Sequence, residues 1–449
     1  MKYHSTKRRN LMKITNFVLT LIFACLIILT AACGPAETTA PEEVEEVAAP
    51  EPVKLIILTH WGEESVLTPM QAKLDEYMEL NPHVTLEYQA VTFDQLLTKI
   101  STARAAGISP DIYHFYNLWT PDFVKGGMLA TPSEEALSDI EANYAAGSVN
   151  AVTFNDQVWG YPTEVNTYLL VYNKKMFQEA GLNPPTTVQE LMDAACQLKD
   201  VADDGTTNRA GMAVMPGWDS GVVHPFLSLL WSAGGQYISD DYTKALFNSP
   251  EGLSTLNLYT DMITEQCIDT SIGSYTDFVN GKAAMIIMAN WFRAELQASF
   301  VDGYENVGVV PIPTDGGAQS VALQYNWLWG VDNNSPHREE AWKFLMWLNS
   351  PTEPGKASPM GDYLTSALGA IPSRTSDQEA LVDRLGDEFM KAYVASTATS
   401  MPEPIFAGGQ EVKTSLQVEI EAAWYNQKTP EEALTFAEEE ADRILSENK

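Results

Sequence analysis

Five segments between residues 53 and 115 switch back and forth between two hydrophobic periods, and that alternation restricts the chain to one fold class. Val53 to Leu58 is a continuous apolar run, the pattern of a parallel strand buried on both faces. Leu67, Met70, Leu74 and Met78 then recur at helical spacing. Asn81-Pro82 stops that helix, because proline cannot continue it, and Val84, Leu86, Tyr88 and Ala90 follow with period two. Phe93 to Ala106 reads as a second helix and Asp111 to Phe115 as a third strand. A strand–helix–strand–helix–strand opening requires crossover helices on the faces of a parallel sheet, so an α/β doubly wound architecture is expected.

Further along, Gly160 to Tyr172 is strand-like and Lys174 to Ala180, Val188 to Lys199 and Leu253 to Cys267 are helical in pattern. Gly181, ahead of Pro184, is a helix stop: glycine takes the left-handed cap and proline cannot resume the helix. Asn280-Gly281 is a turn that closes a helix, after which Ala283 to Met288 forms an apolar strand. The C-terminal part is mostly helical, over Glu339–Leu348, Gln378–Val394, Val412–Tyr425 and Pro430–Ser446. No internal repeat is present.

The N-terminus carries a targeting pattern. Lys2, Lys7, Arg8, Arg9 and Lys13 precede an apolar run from Phe17 to Ala32, which ends at Cys33-Gly34. This is the order of a lipoprotein signal, in which the thiol of Cys33 is acylated and becomes the mature N-terminus. Thr30 stands where such signals usually carry leucine, with Leu29 one step back. Lys7 to Lys13 also resembles a twin-arginine signal, although the ordinary secretory route is expected. Residues 34 to 52 are rich in Ala, Pro, Glu and Thr without periodicity, the composition of a disordered tether.

Residues 1–32 hold five of the 27 Lys and Arg and no acid, so the chain from Cys33 carries 22 basic residues against 60 acidic ones, a formal charge of −38. Such a chain repels nucleic acid and anionic lipid, which leaves the lipid on Cys33 as its expected hold on the membrane. Beyond Cys25 in the leader and Cys33, only Cys196 and Cys267 remain. An oxidising location permits a bond between them, but spacing alone leaves it open. The six histidines are scattered and no zinc pattern occurs, so neither metal nor cofactor is expected.

Several segments, in order, give the chain a family resemblance. They are Pro110-Asp111-Ile112-Tyr113 with Trp119 to Ala130; Trp159-Gly160-Tyr161-Pro162 running into Tyr168 to Lys174; Phe177 to Leu182 with Pro184 to Thr187; Phe278 to Trp291; Pro311-Ile312-Pro313; and Asn333 to Ser350. As an ordered set they resemble the family 1 extracellular solute-binding proteins of ABC transporters, the group that includes maltose-binding protein. The resemblance spans nearly all of residues 53–449. It implies a type II periplasmic-binding-protein-like fold: two α/β lobes joined by a multi-crossing hinge, with a ligand cleft between them. Crossings are expected near 162–167, 282–288 and 324–331. Lobe one would then comprise 53–163 and 288–327, and lobe two 164–287 and 328–449, behind a signal peptide at 1–32 and a tether at 33–52. The implied protein is an extracytoplasmic, lipid-anchored monomer that captures a sugar by lobe closure and passes it to permease subunits.

Sugar recognition needs flat aromatic faces for the C–H side of a pyranose and planar amides or carboxylates for its hydroxyls. The chain has 11 Trp and 18 Tyr, many at strand ends, where ligands of open α/β sheets bind. The expected ligand residues are Trp61 and Glu63 after the first strand; Tyr116, Asn117 and Trp119 after the third; Glu164 and Tyr168 at the first crossing; and Trp218, Asp219 and Trp231 in lobe two. Trp291 and Arg293, and Tyr325, Asn326 and Trp327, complete the set at the second and third crossings. Trp342, Trp347 and Trp424 lie inside helical patterns and are expected to pack in the core, and Asp111 to orient backbone. Rival readings are a secreted glycoside hydrolase, which needs only two spaced carboxylates, and a binding protein for a polyamine or a glycerol phosphodiester. No catalytic motif such as Gly-x-Ser-x-Gly or His-Glu-x-x-His occurs, so no enzymatic step is expected.

Overall fold

The computed structural model describes residues 50–315 and 318–448. The expected signal peptide, the acylation site Cys33 and all but the last three residues of the tether fall outside them. Among the described residues no helix is long and apolar enough to cross a membrane.

Strand β1 (Val53–Thr59) pairs in parallel with β2 (Val84–Ala90) and β3 (Ile112–Tyr116), and the helices Glu64–Leu80 and Phe93–Ala105 supply the crossovers. Leu55, Ile57 and Leu58 are buried, as a strand covered on both faces demands. Asp111 accepts from the Ile56 amide at 2.8 Å and from the Ser335 hydroxyl at 2.5 Å, so its carboxylate orients backbone at the start of β3.

A hairpin of β4 (Thr153–Phe154) and β5 (Gln157–Val158) leads into β6 (Tyr161–Asn173). Thirteen extended residues reach about 43 Å, and β6 uses that length to serve two sheet halves. Its first half pairs antiparallel with β11 (Leu323–Val331), Tyr161 opposite Trp329 and Thr167 opposite Gln324. Its second half pairs antiparallel with β9 (Ala283–Ala289), Tyr168 opposite Ala289 and Tyr172 opposite Met285. β11 continues the first half onto β3. In the second half, β9 pairs with β8 (Thr207–Ala213), β8 with β7 (Asp200–Val201), and β10 (Val307–Val310) flanks β6. Short strands β12 (Ile371–Pro372) and β13 (Met401–Pro402) add to the first half. The path β2-β1-β3-β11-β6-β9-β8-β7 therefore runs through both lobes. Residues 51–449 cluster as one compact unit. At the crossing, buried Asn290 accepts from the Thr167 amide at 2.9 Å and donates to the Val165 carbonyl at 3.2 Å, which fixes β6 where it changes partners.

These pairings redraw the expected lobe boundaries. Val307–Val310 sits on the second sheet half, paired with β6 from Leu170 to Asn173, although 288–327 was expected in lobe one. Leu328 to Val331, expected in lobe two, pairs with β3 in the first half. The helix Arg338–Asn349 also belongs to the first half, where Phe344 meets Tyr77 of the helix Glu64–Leu80 at 5.0 Å between ring centroids. Hydrophobic pattern reveals which strands are buried, but not which of two equally apolar sheets a strand joins.

Two expected helices also change. Gln378–Val394 divides into Thr375–Ala380 and Glu388–Ser396, because Asp387 caps the second helix through the Met390 amide at 2.7 Å. The helix expected to reach Cys267 ends at Thr264. Cys267 then bonds to Cys196 on the helix Val188–Leu198, so the pairing left open by spacing is a disulfide. Gly181 takes φ 71° as the left-handed cap of the helix Lys174–Ala180. Trp342 and Trp424 are buried, and half-buried Trp347 packs at 5.1 Å from the Tyr77 ring.

Candidate ligand-binding cleft

Three strands of the first half and the loops that leave the second converge on a cavity of about 1680 Å³. This exceeds the usual range of small-molecule pockets, about 300–1,000 Å³, and leaves room for more than one ring. His60, Trp61 and Glu63 follow β1, Tyr88 and Phe93 flank the end of β2, and Tyr116 ends β3. Trp218 and Ser220 follow β8, Trp291 follows β9, and Tyr275 opens the helix Tyr275–Val279. Glu164 and Asn166 on β6, with Tyr325 and Trp327 on β11, come from the crossing strands. Each pair is two residues apart, so strand alternation brings both members to one face.

The aromatic groups form two unlike walls. On the first-lobe side Trp61 is 4% exposed and Trp327 6%, because imidazoles back them: His114 lies 3.9 Å from Trp61 and His60 stacks 4.1 Å from Trp327. Burial holds both imidazoles well below the usual histidine range, so they are neutral packing surfaces. On the second-lobe side Trp291 meets Trp218 at 6.1 Å and Tyr275 at 5.8 Å, both edge to face, and Tyr275 is 37% exposed. The partly exposed rings on the cavity wall are therefore Trp218, Tyr275 and Trp291, together with the half-buried Tyr88 and Phe93.

Among the lining residues, four buried polar atoms lack hydrogen-bond partners: His60 Nδ1, Glu164 Oε2, Asn166 Oδ1 and Trp218 Nε1. Burial pushes the Glu164 carboxyl up to about 8, against a bond from Thr163 that pulls it back. Below the floor, fully buried Lys413 donates to Tyr116 Oη at 3.0 Å, to Ser220 Oγ at 2.9 Å and to His224 Nε2 at 2.7 Å. Glu403 Oε1 stands 3.4 Å from the ammonium, and Glu403 Oε2 accepts from Tyr116. Burial raises the Glu403 carboxyl, opposed by Lys413. Asp219 moves the other way: burial would raise it, but Lys413, Gln410 and Ser220 together hold it low. This network joins β3 of the first lobe to helices of the second, directly under two wall residues.

Of the expected ligand residues, the cavity gathers Trp61, Glu63, Tyr116, Glu164, Trp218, Trp291, Tyr325 and Trp327. The other seven do not line it and instead build the scaffold. Asn117 donates to the Ala151 carbonyl and accepts from the Asn326 amide, each at 3.2 Å. Trp119 donates to Gln410 at 2.8 Å, because the short 3₁₀ turn Asn117–Trp119 rotates both residues away. Tyr168 lies past the crossing and donates to the Ser220 carbonyl at 3.3 Å. Asp219 accepts from Gln410 at 2.6 Å, and Trp231 is buried in the helix Asp219–Ser232. Arg293 turns back to Asp387 at 2.6 Å. Asn326 alternates away from Tyr325 and Trp327 and donates to the Glu164 carbonyl at 3.1 Å. Sequence reasoning missed His60, Tyr88, Phe93, Asn166, Ser220 and Tyr275 on the wall. Tyr88 carried a signal, since it shares the parity of Leu86 at the end of its strand.

Residues 61–353 match the family described as "Bacterial extracellular solute-binding protein". The chain is 24% identical over 374 residues to a putative binding protein of Brucella abortus, covering 81% of this chain and 87% of the relative. It is 24% identical to the maltotriose-binding protein of Pyrococcus abyssi, over 71% of this chain and 66% of that one. The solved ABC-transporter solute-binding protein of Thermotoga lettingae, bound with α-D-tagatose, superposes with a TM-score of 0.76 at 26% identity, covering 87% of this chain and 99% of that one. The architecture is thus that of type II periplasmic binding proteins, and the chain belongs to the bacterial extracellular solute-binding proteins.

Proposed function

We propose that the chain captures a carbohydrate, a mono- or oligosaccharide, by lobe closure over the cleft and delivers it to an ABC-transporter permease. The observation that carries this reading is the pairing of partly exposed indole and phenol rings with buried, unpartnered polar atoms in one cavity. Aromatic faces cover the apolar side of a pyranose, and lone acceptors and donors take its hydroxyls. The sugar-binding relatives, one named for maltotriose and one bound with tagatose, support the same class. We assign ligand contact to Trp61, Glu63, Tyr116, Glu164, Trp218, Trp291, Tyr325 and Trp327. Solute favours the closed form because only there does it touch both lobes, and no chemical step is involved. Acylation at Cys33 would hold a monomeric body at the outer face of the membrane.

Among the described residues, no Lys or Arg lines the cavity. A phosphodiester would find no counter-charge there, and the two cations that could be nominated for one, Arg293 and Arg374, are engaged by Asp387 and Asp139. A melting-temperature screen of the protein against saccharides, polyols and glycerol phosphodiesters tests the assignment, since a ligand of the native state raises the melting point. A rise with saccharides, and their recovery unaltered, is the expected outcome. A rise only with phosphodiesters, or hydrolysis of the sugar, overturns it.

A further inference from the structure

The charged side chains on the cavity wall are four carboxylates, Glu63, Asp94, Glu164 and Glu295. Glu164 is the one with unmet valence: it is 5% exposed, and its Oε2 has no hydrogen-bond partner. Two residues along the same strand, Asn166 is 2% exposed and its Oδ1 also lacks a donor. Two buried polar atoms on one strand face therefore lack partners. The groups that face Glu164 do not supply them. His114 Nε2 on β3 is 3.8 Å away, neutral, and committed to Thr163 Oγ1 at 3.1 Å. Tyr325 on β11 and Tyr363 on the helix Pro359–Tyr363 are kept as protonated phenols by burial, but neither hydrogen-bonds Glu164, and Tyr363 Oη is itself without a partner. The nearby buried cation, Lys413, is spent on Tyr116, Ser220, His224 and Glu403.

An ammonium group answers this arrangement better than a hydroxyl. It brings three donors and no lone pair to Asn166 Oδ1 and to the Glu164 carboxylate, which its charge favours over the protonated acid, and the adjoining aromatic rings attract a cation over their faces. Flat indole walls in a cavity of about 1680 Å³ suit rings more than a thin flexible amine. We infer that the solute is an amino sugar: a saccharide whose protonated primary amine is held by Glu164 and Asn166, with its rings against Trp218 and Trp291. This inference rests on the carbohydrate reading of the cleft. Burial keeps the Glu164 proton on at neutral pH, so pairing with an ammonium releases that proton.

The test is calorimetry on the full-length protein in detergent, with β-1,4-linked glucosamine dimer and trimer, their N-acetylated forms and the matching glucose oligomers. Titrations near pH 6.5 in two buffers of different ionisation heat read the protons exchanged. Tighter binding of the free amine by about ten-fold or more, with release of close to one proton, is expected. Glu164→Gln should erase both the preference and the release. The wild-type comparison stands whether or not that variant folds. Equal or tighter binding of the neutral oligomers, without proton release, overturns the amine assignment and leaves the carbohydrate reading intact. Binding of spermidine alone, or of no saccharide, overturns both.

Discussion

The two walls of the cleft are equally aromatic and physically opposite. Trp61 and Trp327 are packed against His60 and His114 and almost fully buried, whereas Trp291 meets Trp218 and Tyr275 edge to face and all three stay partly exposed. One wall meets the cavity with rings packed into the core, and the other with rings that stay partly exposed. An aromatic residue at a strand end can thus serve stability or recognition, and the rings behind it decide which.

Truncation on each side separates the two roles. Trp61→Ala or Trp327→Ala should lower stability by about 3–5 kcal/mol, measured by urea unfolding, because a large buried ring is removed. Stability within about 1 kcal/mol of wild type would show that the first wall is an open binding face after all. Lys413→Met probes the coupling beneath both walls and should cost about 3–5 kcal/mol, since it leaves a desolvated acid cluster without its cation. The double variant with Glu403→Gln should recover part of that loss. Failure to recover any would detach Glu403 from the network. Trp218→Ala or Trp291→Ala should have the smallest effect on folding, with the melting temperature nearly unchanged and saccharide affinity lower by about ten-fold, or about 1.4 kcal/mol. Unchanged affinity in both would move recognition off the second wall.

Much of the cleft was legible in the sequence because ligand sites of open sheets gather at strand ends, which placed Trp61, Tyr116 and Trp291. What escaped was orientation. Asn117 and Trp119 follow the same strand as Tyr116, yet a single 3₁₀ turn carries them into the scaffold. Arg293 sits two residues from Trp291, yet Asp387, distant in sequence, claims it. Lys413 is one basic residue on a helix, and nothing local announces that it is fully buried beneath Tyr116.

By itself the sequence determined the alternating α/β order, the helix stop at Gly181 and the supply of strand-end aromatics, because periodicity and backbone preference act over a few residues. Tertiary structure alone decided which sheet half receives β10 and β11, whether Cys196 meets Cys267, and which indoles stay partly exposed. Those outcomes depend on burial and on partners separated by tens to hundreds of residues, and no local pattern carries that information.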